Sequence, residues 1–249
     1  LKTDWPCRCV AVIPCFNEAA HIGAVVADVK KFLPNVIVVD DGSTDATAEK
    51  AELAGAEIIR LAENSGKGAA LRAGWRRAGE LDCERVLMLD GDGQHSATDI
   101  PKFFECAENS GAKLVVGNRM ENPGAMPWLR RTVNQFMSKR ISRLTGAQLP
   151  DSQCGFRLAH LETLLSLPIA ANRFEIESEM LVAFLAAREK TDFIPVQAIY
   201  KNEASKIRPF ADTIRWLHWR LAQSKNIPPG RTVLEKHPAT LENGIAAKI

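Results

Sequence analysis

The sequence predicts an α/β fold built on a mostly parallel open sheet with helices on both faces. Short runs rich in β-branched residues recur at 9–14, 36–40, 57–61, 85–90 and 113–117. Each is nearly continuous in apolar character, as a parallel strand covered on both faces must be. Helical stretches at 18–32, 44–54, 66–78 and 98–109 separate them. Strand–helix alternation at this spacing implies right-handed βαβ crossovers.

The first strand, Cys9 to Pro14, ends at a proline, and the second, Val36 to Asp40, ends in acids. Ser43 and Asp45 offer cap side chains to the helix that follows. Ser96 does the same for the helix at 98–109, with Pro101 near its first turn. The pattern changes after residue 120. Residues 124–145 read as a basic amphipathic helix, and 155–158 as a short extended piece. Helices at 160–165 and 175–187, a strand at 191–200 and a helix at 209–223 complete the order. Residues 225–249 hold Pro228, Pro229, Gly230 and Pro238 and read as a flexible C-terminal tail.

With 249 residues, 46% of them hydrophobic, the chain can bury one large domain. The 32 basic and 30 acidic residues nearly balance, which gives no support to nucleic-acid binding. The six cysteines form no C-x-x-C pair, so they read as free thiols of a reducing compartment. No apolar run approaches the roughly 20 residues of a spanning helix, and residues 1–8 lack the apolar stretch of a secretion signal. The expectation is a cytoplasmic protein, soluble or peripheral to a membrane.

In open parallel sheets, ligands bind beyond the carboxyl ends of the strands. Here those ends carry Pro14-Cys15-Phe16-Asn17-Glu18, Asp40-Asp41-Gly42-Ser43-Thr44-Asp45, Asn64-Ser65-Gly66-Lys67-Gly68, Asp90-Gly91-Asp92-Gly93-Gln94-His95 and Gly117-Asn118-Arg119. Each also has a plainer reading. D-D-G-S is an ordinary turn with a helix cap, and 64–68 is a loop capping a helix. The latter is not a P-loop, because Gly68 stands where Ser or Thr is required. The absence of G-x-G-x-x-G after the first strand disfavours a Rossmann site. The strongest signal is Asp90 and Asp92. Clustered acids repel unless a cation joins them, and hard divalent ions prefer oxygen ligands that also serve substrate phosphates. An EF-hand fails, since Pro101 sits where Glu is needed.

In order and spacing, P-x-x-N-E, D-D-G-S-x-D, N-x-G-K-G, D-G-D-G-Q-H and G-N-R resemble inverting glycosyltransferase family 2, over roughly residues 9–208. Within it, the likeness is to the transferases that glycosylate dolichyl or other polyprenyl phosphates. The resemblance implies the GT-A fold of nucleotide-diphospho-sugar transferases. It divides residues 1–224 into a nucleotide-sugar-binding half, 9–118, and an acceptor-binding half, 119–224. It implies a donor pocket of Pro14, Asn17, Glu18, Asp40, Asp41, Lys67 and Asp90, with Asp40 reading the base. Asp90, Asp92 and Gln94 would hold Mg²⁺ or Mn²⁺ on the diphosphate, and Asp92 and Arg119 are the catalytic candidates. Arg119, Arg130, Lys206 and Arg208 would meet the acceptor phosphate. Further segments agree: D-x-x-x-G-F-R at 151–157, F-x-x-E at 174–177 and S-K-x-R at 205–208. One departure is Phe16, where the family often has Tyr.

The implied reaction moves mannose or glucose from a GDP- or UDP-sugar to a polyprenyl phosphate. Met126, Leu129, Val133, Phe136, Met137, Ile141 and Leu144 form one apolar stripe among basic residues, and Phe210, Ile214, Trp216, Leu217, Trp219 and Leu221 form another. Both suit peripheral membrane contact, and equally a core face or a homo-oligomer interface. A membrane-anchoring partner is compatible with either. The rival readings are a family 2 transferase with a hydroxyl acceptor and Glu175 or Glu177 as base, a nucleotidyltransferase, and a non-catalytic nucleotide-sugar binder.

Overall fold

The computed structural model describes residues 5–121, 123–124, 126–200, 216 and 219. Among the described residues lie strands β1 Cys9–Cys15, β2 Asn35–Asp40, β3 Glu57–Arg60, β4 Arg85–Met88, β5 Leu114–Asn118, β6 Arg157–His160 and β7 Thr191–Pro195. They form one sheet in the order β3-β2-β1-β4-β6-β5-β7. Every pairing is parallel except those of β6, which runs antiparallel to both β4 and β5. The helices are α1 Trp5–Arg8, α2 Ile22–Lys30, α3 Thr47–Leu53, α4 Lys67–Glu80, α5 Ile100–Ser110, α6 Trp128–Thr145, α7 Leu161–Ser166 and α8 Ile176–Ala186. Consecutive residues of β4 and β5 are all buried, so both faces of the sheet are covered. The expected helix at 209–223 lies outside the described residues, apart from Trp216 and Trp219, which are helical. The tail at 225–249 and the boundary before it also lie outside them.

The main departures come at element ends. The helix expected from residue 18, α2, begins at Ile22. The Glu18 N–H donates to the Thr47 hydroxyl at 2.8 Å and the Ala19 N–H to Asp45 at 3.2 Å, so these donors are spent across the sheet edge. The helix expected from residue 44, α3, begins at Thr47, because the Ser43 and Thr44 N–H groups donate to Asp40 and Asn17. Asp45 caps it, accepting from the Thr47 N–H at 3.0 Å. Ser96 gives its helix no side-chain cap; its hydroxyl meets that of Thr98 instead. The extended piece at 155–158 becomes β6, wedged between two parallel strands. The last strand stops at Pro195, and the Gln197 and Ile199 N–H groups then turn to Asp99 and to the Gln94 carbonyl.

One feature places the site. The Leu89 N–H donates to the Val12 carbonyl at 3.4 Å, and the next rung of this parallel ladder needs an N–H at residue 14. Pro14 has none, so β1 and β4 part there and a crevice opens at the carboxyl edge. All six cysteines are free thiols, as expected. No helix among the described residues is long and apolar enough to cross a membrane.

Candidate active site

The crevice is lined first by the loops after β1 and β2, which are sewn together. Asn17 sits at φ 54°, a left-handed conformation that asparagine tolerates. There its N–H donates to the Ser43 hydroxyl at 2.8 Å and its side-chain oxygen accepts from the Thr44 N–H at 2.9 Å. Asp40 ends β2, buried, with one oxygen accepting from the Ser43 N–H. Asp41 is buried beside it and accepts from the Ser65 and Gly66 N–H groups, each at 2.8 Å. Burial pushes the Asp41 carboxyl upward, and those two backbone donors only partly offset it.

The glycines of N-x-G-K-G serve close packing. The Gly68 and Ala69 N–H groups donate to the Asn172 carbonyl, which caps the start of α4. A Cβ on Gly68 would stand 2.1 Å from the Ala171 carbonyl oxygen. Gly68→Ala is therefore expected to cost about 1–3 kcal/mol by forcing this backbone apart, read as a lower urea midpoint at unchanged slope.

At the centre stands Lys67. Its Nζ lies 2.5 Å from Asp90 Oδ1 and 2.5 Å from Glu177 Oε1 on α8. Burial alone would lower the lysine pKa, but the two carboxylates outweigh it and hold the ammonium protonated. Burial alone would raise Asp90, yet Lys67 and then His95, 3.4 Å from Oδ2, keep it far below the usual carboxylate range. His95 is itself buried, its ring 5.2 Å from that of Phe156. Gly155 faces this pair: a Cβ there would meet both the Asp90 carboxylate and Lys67 Nζ within 3.0 Å. Glu177 Oε2 is buried and has no hydrogen-bond partner among the described residues.

Asp92 is the second acid. Its Oδ1 accepts from the Gln94 N–H at 2.9 Å. Burial, and then the neighbouring Asp90 charge, push its carboxyl upward. Two acids that repel across a short glycine-flanked turn form a donor set suited to a divalent ion. Among the described residues, no three His, Cys, Asp or Glu side chains gather as a ligand cage. Mg²⁺ is commonly held by one or two carboxylates, with water and substrate phosphate completing the shell. The third candidate, Gln94, points its Oε1 at the Arg130 guanidinium, 3.1 Å away. Arg130 also lies over the Tyr200 ring, 5.6 Å from the centroid.

Arg119, at the end of β5, is the surprise. Its Nε and Nη2 donate to the two oxygens of Asp151 at 2.8 and 3.0 Å. Asp151 is fully buried and also accepts from Asn134 Nδ2 and the Gln153 N–H. Burial would lower Arg119, but Asp151 outweighs it and holds the guanidinium charged; the same pairing outweighs the burial that would raise Asp151 and lowers its carboxyl. The edge that would grip a phosphate bidentately is therefore taken by a protein carboxylate. Lys206 and Arg208 lie outside the described residues.

Of the residues singled out in the sequence, the structure joins Lys67 to Asp90 and Gln94 to Arg130, and sets Asp92 where the Asp90 charge is felt. It sets Asp40 and Asp41 with Asn17 at the other end of the crevice. Reading the sequence missed three contributions: Glu177 as a partner of Lys67, Asp151 as the clamp on Arg119, and Asn172 as the cap of α4. The F-x-x-E and D-x-x-x-G-F-R segments carry the first two; nothing in the sequence marks Asn172.

The basic stripe on α6 divides. Met137 and Ile141 join a core of Leu149, Val182 and Trp216, while Trp128, Leu129 and Phe136 are exposed. Asn134 and Ser138 fill the buried face between, because they serve Asp151 and Ser152. Trp216 from the second stripe is also core, its Nε1 donating to the Ser178 hydroxyl at 2.8 Å.

Comparison with known proteins agrees with this geometry. The signature of Glycosyl transferase family 2 matches residues 10–166. Glycosyltransferase AglJ of Haloferax volcanii is 36% identical over 73% of this chain, and the match spans 60% of that protein's own length. A UDP-N-acetylglucosamine–dolichyl-phosphate N-acetylglucosaminyltransferase of Methanococcus voltae is 31% identical, covering 76% of this chain and 84% of its own. Among solved structures, glucosyl-3-phosphoglycerate synthase of Mycobacterium tuberculosis, crystallised with Mn²⁺, uridine diphosphate and phosphoglyceric acid, superposes with a TM-score of 0.68. It covers 88% of this chain and 79% of its own at 21% identity, a likeness of fold. That shared fold is GT-A. By signature and by relatives, this chain belongs to glycosyl transferase family 2.

Proposed function

We propose that the protein transfers a hexose from a GDP- or UDP-sugar to a polyprenyl phosphate at a membrane surface, with inversion. The observation that carries this is the acidic pair after β4, Asp90 and Asp92, with the Arg130 guanidinium bonded to the neighbouring Gln94. Relatives in the family include the dolichyl-phosphate enzyme above and an undecaprenyl-phosphate mannosyltransferase of Micrococcus luteus, 28% identical.

Asn17, Glu18, Asp40 and Asp41 bind the nucleoside, and Pro14 opens the slot that receives it. Lys67 neutralises Asp90 and Glu177 and so fixes the acids at the sugar end. Asp90, Asp92 and the Gln94 amide would hold Mg²⁺ or Mn²⁺, which supplies charge neutralisation on the departing diphosphate. The acceptor is an anion, so the site needs no strong base; it needs cations that overcome repulsion between two phosphorylated substrates. Arg130 supplies such a cation within the described residues; Arg119 has its charge matched by Asp151, and Lys206 and Arg208 lie beyond the described residues. Transfer to a hydroxyl would need Glu175 or Glu177 as its base, and Glu177 pairs with Lys67 through Oε1.

The test is a transfer assay across GDP- and UDP-hexoses, UDP-N-acetylglucosamine included, with Mn²⁺. A short-chain polyprenyl phosphate and an oligosaccharide serve as competing acceptors. Glycosylated lipid and released nucleoside diphosphate are expected. Sole glycosylation of the oligosaccharide refutes the acceptor, and released pyrophosphate refutes the transferase chemistry.

A further inference from the structure

We infer that the solvent face of α6 is a docking surface for an anionic lipid bilayer, which holds the crevice against the membrane that carries the acceptor. The inference rests on the lipid-phosphate reading above and adds which surface meets the lipid. Helix α6, Trp128–Thr145, contains Arg130, Arg131, Lys139, Arg140 and Arg143 and no acidic residue, in a chain whose formal net charge is only +2. Its buried side holds Asn134, Met137, Ser138 and Ile141. At about 100° per residue, Trp128, Phe136, Lys139 and Arg143 fall together on the opposite side, flanked by Leu129 and Arg140.

Three of the eight exposed large hydrophobics among the described residues stand there: Trp128 at 77%, Leu129 at 47% and Phe136 at 41% exposure. The Arg140 guanidinium lies 5.1 Å over the Phe136 ring. Beside the helix, an open depression of about 540 Å³ is lined by Lys139 and Arg143. Exposed aromatic rings interleaved with cations suit the headgroup zone, where ring bodies enter the acyl boundary and cations meet lipid phosphates. Charge decides the occupant. A second copy of this chain would set one cationic helix against another, whereas an anionic bilayer compensates both the cations and the apolar surface. The orientation follows from Arg130. It leaves the same helix toward Gln94, so the first turn of the docking helix borders the crevice mouth.

The full-length protein is tested by co-sedimentation with phosphatidylcholine vesicles, with and without phosphatidylglycerol. Binding only to the anionic vesicles, weakened by salt, is expected. The charge variant Lys139→Glu/Arg140→Glu/Arg143→Glu and the aromatic variant Trp128→Ser/Phe136→Ser should each lose at least about tenfold of vesicle affinity. All these positions are exposed or face solvent, so both variants should keep their melting temperature and their transfer to a water-soluble short-chain prenyl phosphate. Equal binding of wild type and variants overturns the inference, as does no binding at all. A wild-type dimer in sedimentation that both variants dissociate, without vesicle binding, assigns the face to a second copy and overturns it too. Vesicle binding with no glycosylation of any prenyl phosphate instead refutes the acceptor proposed above and leaves the docking surface standing.

Discussion

Asp92→Ala is expected to remove at least about a hundredfold of metal-stimulated turnover while the protein keeps its melting temperature. The side chain is only partly buried, and its one described hydrogen bond is to the N–H of Gln94, two residues on. Its carboxyl is pushed upward by burial and by Asp90, so removing it relieves repulsion and costs the fold little. What disappears is the second oxygen ligand at the end of β4. Turnover against Mn²⁺ concentration, read beside a thermal melt, checks both halves. Full turnover with intact metal stimulation removes Asp92 from the site; a collapsed melt reassigns it to the fold.

The second large effect is on stability. Asp151→Asn should cost about 3–5 kcal/mol, because it leaves the largely buried Arg119 charge without its partner. For a chain of this size that is a fall of about 10 °C in Tm. The pH dependence has a definite sign. The folded Asp151 carboxyl is depressed by Arg119, so its stabilisation is complete above the ordinary aspartate value near 3.9. It is lost as pH falls toward the lower folded value. Wild type should therefore lose stability steadily in acid, and Asp151→Asn should lack that part of the slope. Urea titrations from neutral pH down to acid measure it. A variant that melts within about 2 °C of wild type would show that the clamp on Arg119 is energetically idle.

Local patterns carried much of the fold. The runs that became β1, β2, β4 and β5 are apolar on both faces, and that signal survives in a single sequence because each residue reports its own burial. Helix starts were less legible. Residues 18–19 and 43–44 have good local sequence for helix, yet their N–H groups are claimed by Thr47, Asp45, Asp40 and Asn17 from the neighbouring loop. The α6 stripe misled for a related reason. Its buried face contains Asn134 and Ser138, which are polar because they satisfy Asp151 and Ser152 across the core. Hydrophobic periodicity put Phe136 in one stripe with Met137 and Ile141 and left Asn134 out of it.

Sequence alone determined the sheet of βαβ units, the family, and the acids and cations gathered at its carboxyl edge. These follow from short-range spacing: a strand must be apolar, a turn must hold glycine, and clustered acids must sit where a strand ends. Tertiary structure alone decided who neutralises whom. Lys67 pairs with Glu177, 110 positions away in the chain, and Arg119 turns one edge to Asp151. Ion pairing depends on distance and burial in three dimensions, and a linear order of residues encodes neither.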